Sequence, residues 1–145
     1  MKAHLVPPPV DCAAILPDYD YDFADAYAVA VPATMDAIEA SRRAFAQIPR
    51  WAAMLMQTRD RLVAPFGLKP APSTGFPVIS ETPERVVMGF DDHHLDFRIV
   101  VTVAAEQAKV TTIVRRHNLA GRLYLAAIMP FHRLIASAMT AKIGG

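Results

Sequence analysis

A long amphipathic segment near the C-terminal end, residues 118–142, constrains the fold more than any other feature of this 145-residue chain. At about 100° per residue, its bulky apolar side chains fall on one arc of roughly 160°. These side chains are Leu123, Tyr124, Ala127, Ile128, Phe131, Leu134, Ile135 and Met139. Arg122 and Arg133 fall on the opposite side. Because so wide an apolar face needs a broad concave partner, the pattern predicts a long helix packed against a curved sheet.

Five earlier segments have the residue pattern of β-strands. Residues 23–31 (FADAYAVAV) alternate between a bulky face and an alanine face, and Asp25 is the one polar member of the bulky face. The other four are residues 76–80, 85–90, 95–103 and 110–118. Short connections separate these four runs, with turns expected at Thr82-Pro83-Glu84 and at residues 106–108, so neighbouring strands are predicted to be antiparallel.

Two short helices are predicted between the first strand and the other four. Thr34 is suited to be the N-cap of the first helix, in which Met35, Ile38 and Phe45 share a stripe. Pro49 suits the first position of the second helix. This order of elements is typical of an α+β domain with one antiparallel sheet.

The chain is predicted to form a single domain over residues 19–145, preceded by an extended, proline-rich arm over residues 1–18. A domain of this size buries about 68–70% of its unfolded surface and needs no disulfide to fold. The single cysteine, Cys12, is expected to be an inert side chain in a reducing compartment.

Charge and hydropathy exclude several classes of partner. A formal net charge of +1 leaves no basic excess to neutralise nucleic-acid phosphates. The first ten residues, MKAHLVPPPV, lack the apolar run of a signal peptide, so a cytoplasmic location is predicted. Arg122, His132 and Arg133 interrupt the one candidate membrane span. The hydrophobic fraction of 53% therefore indicates a large core, an internal cavity, or a surface covered by a second copy in a homodimer.

Four segments resemble a bacterial family of domains of unknown function: PRWAAMLMQTRDRLVAPFGL (49–68), HLDFR (94–98), HNLAGRLY (117–124) and PFHR (130–133). That family is similar to the START-like (SRPBCC, helix-grip) superfamily, in which a curved antiparallel sheet wraps around a long C-terminal helix. The resemblance covers residues 16–139. It implies that a small apolar or amphipathic molecule binds between sheet and helix. Some members of the superfamily are cyclases or related enzymes, and no catalytic motif is common to all of them.

Six residues are the candidate ligand contacts in such a space: Trp51, Leu55, Phe97, Tyr124, Ile128 and Phe131. Tyr124 lies near the middle of the apolar arc, and its hydroxyl needs a partner if it is buried, either a ligand or the backbone. Trp51 and Leu55 line a pocket or take part in ordinary helix packing. Pro130 is expected to kink the helix and open space beside Phe131. No cofactor is predicted.

The most charged stretch reads DDHHLDFR. Strand alternation puts His94, Asp96 and Arg98 on one face and assigns the core face to Leu95, Phe97, Ile99, Val101 and Val103. In one hypothesis the protein is a cyclase or isomerase, with His94 and Asp96 as an acid/base pair and Arg98 holding an anionic group. In the other, the face is solvated and carries cross-strand ion pairs, with Arg115 or Arg116 opposite Asp96.

Other polar residues have simpler interpretations. A metal site would draw on Asp91, Asp92, His93, His94 and His117. Consecutive strand residues point apart, however, so no metal site is predicted. His132 lies at the edge of the apolar arc and is expected to be a hydrogen-bonded boundary histidine rather than a catalytic base. Asn118 is expected to be the N-cap of the final helix.

Overall fold

The computed structural model describes residues 3–8, 23–45, 50, 51, 54, 57, 58, 61, 78–91, 95–116 and 119–144. Within these residues the elements are β1 (His4–Val6), β2 (Phe23–Ala30), α1 (Ala37–Phe45), β3 (Val78–Glu81), β4 (Arg85–Asp91), β5 (Leu95–Ala104), β6 (Gln107–Arg116) and α2 (Leu119–Ile143). The described residues between 50 and 61 are also helical. The protein is therefore an α+β domain with a curved antiparallel sheet and a long C-terminal helix.

The six strands form one sheet in the order β1-β2-β6-β5-β4-β3, and all neighbours are antiparallel. β2 pairs with β6 from Phe23 opposite Val114 to Ala30 opposite Gln107, which brings the first predicted strand beside the last. β1, which pairs with β2, is a sixth strand where the sequence predicts five. It lies within the predicted arm, and three residues are too few for alternation to distinguish a strand from an extended segment.

The turn between β5 and β6 differs from its prediction. Ala105 and Glu106 have positive φ angles of 53° and 59°, and β6 begins at Gln107 rather than at Val110. Two consecutive residues with positive φ make a tight hairpin turn whose twist matches that of the strands. Such turns usually contain glycine, asparagine or aspartate, so the prediction of a turn at residues 106–108 was close in position but did not identify this type of turn at Ala105 and Glu106.

α1 begins after Asp36, whose Oδ1 accepts a hydrogen bond from Glu39 N at 2.8 Å. The prediction that Thr34 caps this helix is therefore wrong, because aspartate is at least as good a cap and directly precedes the first helical residue. The side of α1 that meets the sheet is built from small residues, Ala37, Ala40 and Ala44. Alanines here let the helix axis lie close to the strands.

The main core lies between the sheet and the two helices. Its buried members include Val29, Val86, Met88, Ile99, Val101, Val110 and, at the end of α2, Ile143. Partly buried residues at its edge are Met35, Ile38, Phe45, Phe97 and Val103. This confirms the predicted stripe of the first helix and, for Phe97, Ile99, Val101 and Val103, the predicted core face of β5. The side chain of Leu95 lies outside the described residues.

α2 presents a different face to the sheet from the one predicted. The prediction was wrong for Leu123, Phe131 and Leu134, which are 64%, 45% and 59% exposed. Met129 and His132 face the sheet instead. Thr140 and Ile143 are buried near the C-terminal end of the helix. The four residues recur at helical spacing. The prediction placed every large apolar residue of the helix at the interface with the sheet. Polar residues such as His132 can also lie at that interface when they have hydrogen-bond partners, so the prediction failed.

No helix in the described part of the chain is long and apolar enough to cross a membrane.

Candidate functional site at the Asp25 and His132 pair

Asp25 and His132 meet between the sheet and α2. Alternation along β2 places Asp25 on the same face as Phe23 and Tyr27, towards the helices. His132 Nε2 lies 2.9 Å from Asp25 Oδ2 and 3.1 Å from Oδ1. The side chains of Asp25 and His132 are only 12% and 16% exposed, so the contact is largely shielded from water.

The geometry of this contact fixes the position of a proton. An ionised carboxylate can only accept hydrogen bonds, so Nε2 carries the hydrogen and donates it to Asp25. In a neutral imidazole, Nδ1 then holds a lone pair. Within the described part of the chain, Nδ1 of His132 has no hydrogen-bond partner. A carboxylate behind an imidazole is the arrangement that orients a histidine base.

Apolar side chains surround the pair. The rings of Phe23 and His132 meet edge to face, with centroids 6.1 Å apart and planes at 83°. Phe23 and Met129 both pack against Val114 of β6. Apolar neighbours lower the local dielectric, which strengthens the hydrogen bond between Asp25 and His132.

Tyr27 lies on the same face of β2 and is 9% exposed. Burial raises the pKa of the Tyr27 phenol above its ordinary value, and the negative charge of Asp25 raises it further. Arg133 acts in the opposite direction. The phenol therefore stays protonated at neutral pH, where it can donate a hydrogen bond to an oxygen atom of a bound molecule.

A second polar cluster lies on the other face of the sheet. Asp96 is opposite Arg115, and Arg115 Nη2 donates to Asp96 Oδ2 at 2.6 Å. Arg98 Nη1 donates to the Phe97 carbonyl oxygen at 2.8 Å. Asp96 is 4% exposed and Arg98 is 8% exposed, so the hypothesis of a solvated face does not hold for these two residues. Its cross-strand ion pair, with Arg115 opposite Asp96, is confirmed. Strand alternation assigns side chains to faces, but it does not tell whether the second face is covered.

β4 approaches β5 closely beside this cluster. Gly89, opposite Arg98, has a φ of 150°, a conformation that residues with a side chain rarely adopt. A Cβ atom at this position would overlap the Phe97 carbonyl oxygen and lie 2.9 Å from Arg98 Cα. The backbone here therefore requires glycine.

The structure does not gather the predicted ligand contacts into one described site. Phe97 packs against the main core and against Val114. Trp51 and Phe131 are 43% and 45% exposed. Leu55 and the side chains of Tyr124 and Ile128 lie outside the described residues. A ligand-binding role for these six residues stays a prediction.

Only two of the three predicted acid/base candidates lie among the described residues. Asp96 and Arg98 are buried, and Asp96 is held by Arg115, whereas His94 lies outside the described residues. So do Asn118, the predicted helix cap, and Asp92, His93 and His117, which were weighed as metal ligands. Among the residues that the structure describes, no group of three or more His, Cys, Asp or Glu could hold a metal ion.

Nothing in the sequence pattern brings Asp25 and His132 together. The available signal was one carboxylate on the bulky face of a strand and one histidine at the edge of a helix stripe. A buried polar group needs a partner, so each residue implied another. Asp25 and His132 are 107 residues apart in the chain, and the contact between β2 and α2 makes them partners.

Residues 19–139 match the model of a family described as Protein of unknown function (DUF2867). The chain belongs to this family. The match confirms the expected relationship to a family of domains of unknown function, and the DUF2867 domain includes both Asp25 and His132. Comparisons with curated proteins and with solved structures give no significant match.

Proposed function

We propose that this DUF2867 domain binds a small apolar or amphipathic molecule between the sheet and α2, as the resemblance to the START-like (SRPBCC) helix-grip superfamily implies. The order of the elements supports this proposal, since a strand and a short helix precede an antiparallel meander and a long C-terminal helix. So does the placement of α1 and α2 against the sheet. Sites of this type are mostly apolar, with a few polar groups that orient the ligand.

The contact between Asp25 and His132 is the observation that supports the proposal most. Removing a carboxylate and an imidazole from water costs free energy, and apolar side chains would join a strand to a helix at less cost. Among the described residues the second imidazole nitrogen has no partner, so it can bind another group at an interface that contains Phe23 and Met129. This arrangement suits a ligand with an apolar body and one hydrogen-bonding group.

Native mass spectrometry of the full chain tests the proposal. We expect the wild-type protein, with or without added 1-anilinonaphthalene-8-sulfonate as an apolar anionic probe, to carry one bound organic molecule. His132→Leu should weaken this binding, whereas His4→Leu, on the exposed strand β1, should leave it unchanged. A wild-type protein that carries no molecule and does not bind the probe would contradict the proposal.

The outer side of α2 favours a second candidate, a non-catalytic homodimer. Large apolar side chains recur along it: Leu119, Leu123, Phe131 and Leu134 are all at least 45% exposed. Exposed apolar patches commonly mark interaction surfaces. Light scattering after gel filtration should give a dimer for the wild type and a monomer for Leu123→Lys with Leu134→Lys. A wild-type monomer at high concentration would contradict this candidate.

An enzyme that uses His94, Asp96 and Arg98 is a proposal with less support. The Asp96 carboxylate is held 2.6 Å from Arg115. The ion pair occupies one oxygen of this buried carboxylate. This arrangement supports a structural role for Asp96.

A further inference from the structure

The two nitrogens of His132 are in unequal surroundings. Nε2 is held by both carboxylate oxygens of Asp25, whereas Nδ1 has no partner within the described part of the chain. Nδ1 is not among the buried side-chain atoms that lack a partner in the described part of the chain, so it is open to solvent or to a bound molecule. An oriented imidazole whose second nitrogen is accessible is what a general base requires.

Among the described residues, few charged or titratable groups lie around the pair. β2 contributes Asp25 and Tyr27, and α2 contributes Arg133. On β6, the residue opposite Asp25 is Thr112, which carries no charge. Asp25 would therefore stabilise the imidazolium form of His132 once it takes a proton, and the Tyr27 hydroxyl can donate to negative charge that develops nearby.

We propose that His132 is a general base that removes a proton from a weakly acidic C–H group of the bound molecule, with Asp25 as its positioning residue. The inference rests on the proposed function, since it needs a molecule between the sheet and α2. The C–H bond breaks, its hydrogen passes to Nδ1, and its electron pair moves into a conjugated carbonyl group as an enolate. The imidazolium then returns the proton to another carbon. The reaction is an isomerisation without net oxidation, so it needs no cofactor.

The elimination of 5-nitrobenzisoxazole tests this base on the full chain. In this reaction a base takes the proton of the one C–H group in the isoxazole ring while the N–O bond breaks. The product is a coloured cyanophenolate. Binding of 6-nitrobenzotriazole, which has a similar shape but no N–O bond to break, reports the site separately. The variants are His132→Gln, Asp25→Asn, Asp25→Glu and the control His4→Gln.

We expect His132→Gln to lower kcat/KM for the elimination by about 100-fold or more, the usual size of a general-base contribution. His4→Gln should leave it unchanged. In Asp25→Asn, the amide N–H can donate to Nε2 and shift the imidazole proton to Nδ1, so the rate should fall while triazole binding remains. Asp25→Glu keeps a carboxylate and should recover part of the rate.

The failures are distinguishable. If wild-type protein binds the triazole but does not accelerate the elimination, or if His132→Gln is as active as the wild type, the general base is overturned and the binding site stands. If the wild type binds neither compound, both proposals fail. Should His132→Gln not fold, the wild-type pH profile decides. A general base acts only in its unprotonated form, so the rate must rise with pH before it levels off, and a flat profile overturns the base.

Discussion

His132 on α2 donates from Nε2 to the carboxylate of Asp25 on β2, with both oxygens within 3.1 Å. The pair connects β2, near the start of the region that matches the DUF2867 family, to α2, near the end of that region. Ile143, fully buried, anchors the last turn of α2 in the main core. The histidine therefore lies on a helix that is fixed at one end, and its ring is fixed by the sheet.

The buried ion pair on the other face gives a first prediction. Arg115→Met should lower the free energy of unfolding by about 3–5 kcal/mol, because it leaves the Asp96 carboxylate buried without this partner. Asp96→Leu combined with Arg115→Met should recover most of that loss. Urea unfolding measures both.

Arg42→Met is the control for this experiment. Arg42 pairs with Glu39 at 3.1 Å on the exposed side of α1, and its own side chain is 71% exposed. Exposed pairs within a helix contribute about 0.3–0.5 kcal/mol, so the change should be small. A double variant that is no more stable than Arg115→Met would show that the cost does not come from the loss of this partner by the buried Asp96 carboxylate.

Gly89→Ala should destabilise the protein by more than about 2 kcal/mol, because the position combines a positive φ with a backbone that blocks a Cβ atom. Gly144→Ala, in the turn after α2, is the matched control and should have little effect. Thermal unfolding of the two variants makes the comparison. Equal melting temperatures would mean that β4 and β5 do not come this close at Gly89.

Two fully buried threonines give a paired prediction. Thr111 Oγ1 has no hydrogen-bond partner among the residues that the structure describes, whereas Thr140 Oγ1 donates to the Ala136 carbonyl at 2.7 Å. Thr111→Val should therefore be neutral or stabilising, and Thr140→Val should cost about 1 kcal/mol, since valine has a similar shape but no hydroxyl. The order of the two stabilities in urea is the test. Thr111→Val as the less stable variant would mean that its hydroxyl has a partner.

Tyr27 predicts a dependence of stability on alkaline pH. Its pKa is raised in the folded state, mainly by burial, so folding favours the protonated phenol. That contribution is complete below the unfolded pKa of about 10 and is lost as the pH rises through the higher folded value. In Tyr27→Phe, the free energy of unfolding should therefore fall less between neutral and strongly alkaline pH than it does in the wild type. Unfolding curves that fall equally in both proteins would contradict the assignment.

The strands and helices could be predicted because their signals are local. Alternation identified β2 and the core face of β5, and helical spacing identified α1 and α2, with bounds close to those observed. The turn at Ala105 and Glu106 was placed too late in the chain, at residues 106–108, because neither residue is typical of such a turn. The Asp36 cap was missed because Thr34, another residue suited to capping, lies two positions earlier.

The candidate site could not be predicted because it depends on pairing between distant elements. The sequence of residues 23–31 does not indicate that β2 pairs with β6 and packs against α2. Only this placement brings Asp25 into contact with His132. The same lack of tertiary information led to the wrong face of α2 and left open whether the face that carries Asp96 and Arg98 is solvated.

The most direct test of the central claim, that Asp25 orients His132, is the tautomer of the imidazole by ¹⁵N–¹H long-range correlation NMR at a pH where the ring is neutral. We predict that wild-type His132 carries its proton on Nε2, with Nδ1 unprotonated, and that Asp25→Asn changes this population while exposed His4 is unaffected. A wild-type ring protonated on Nδ1, or one whose tautomer does not respond to Asp25→Asn, would contradict the claim.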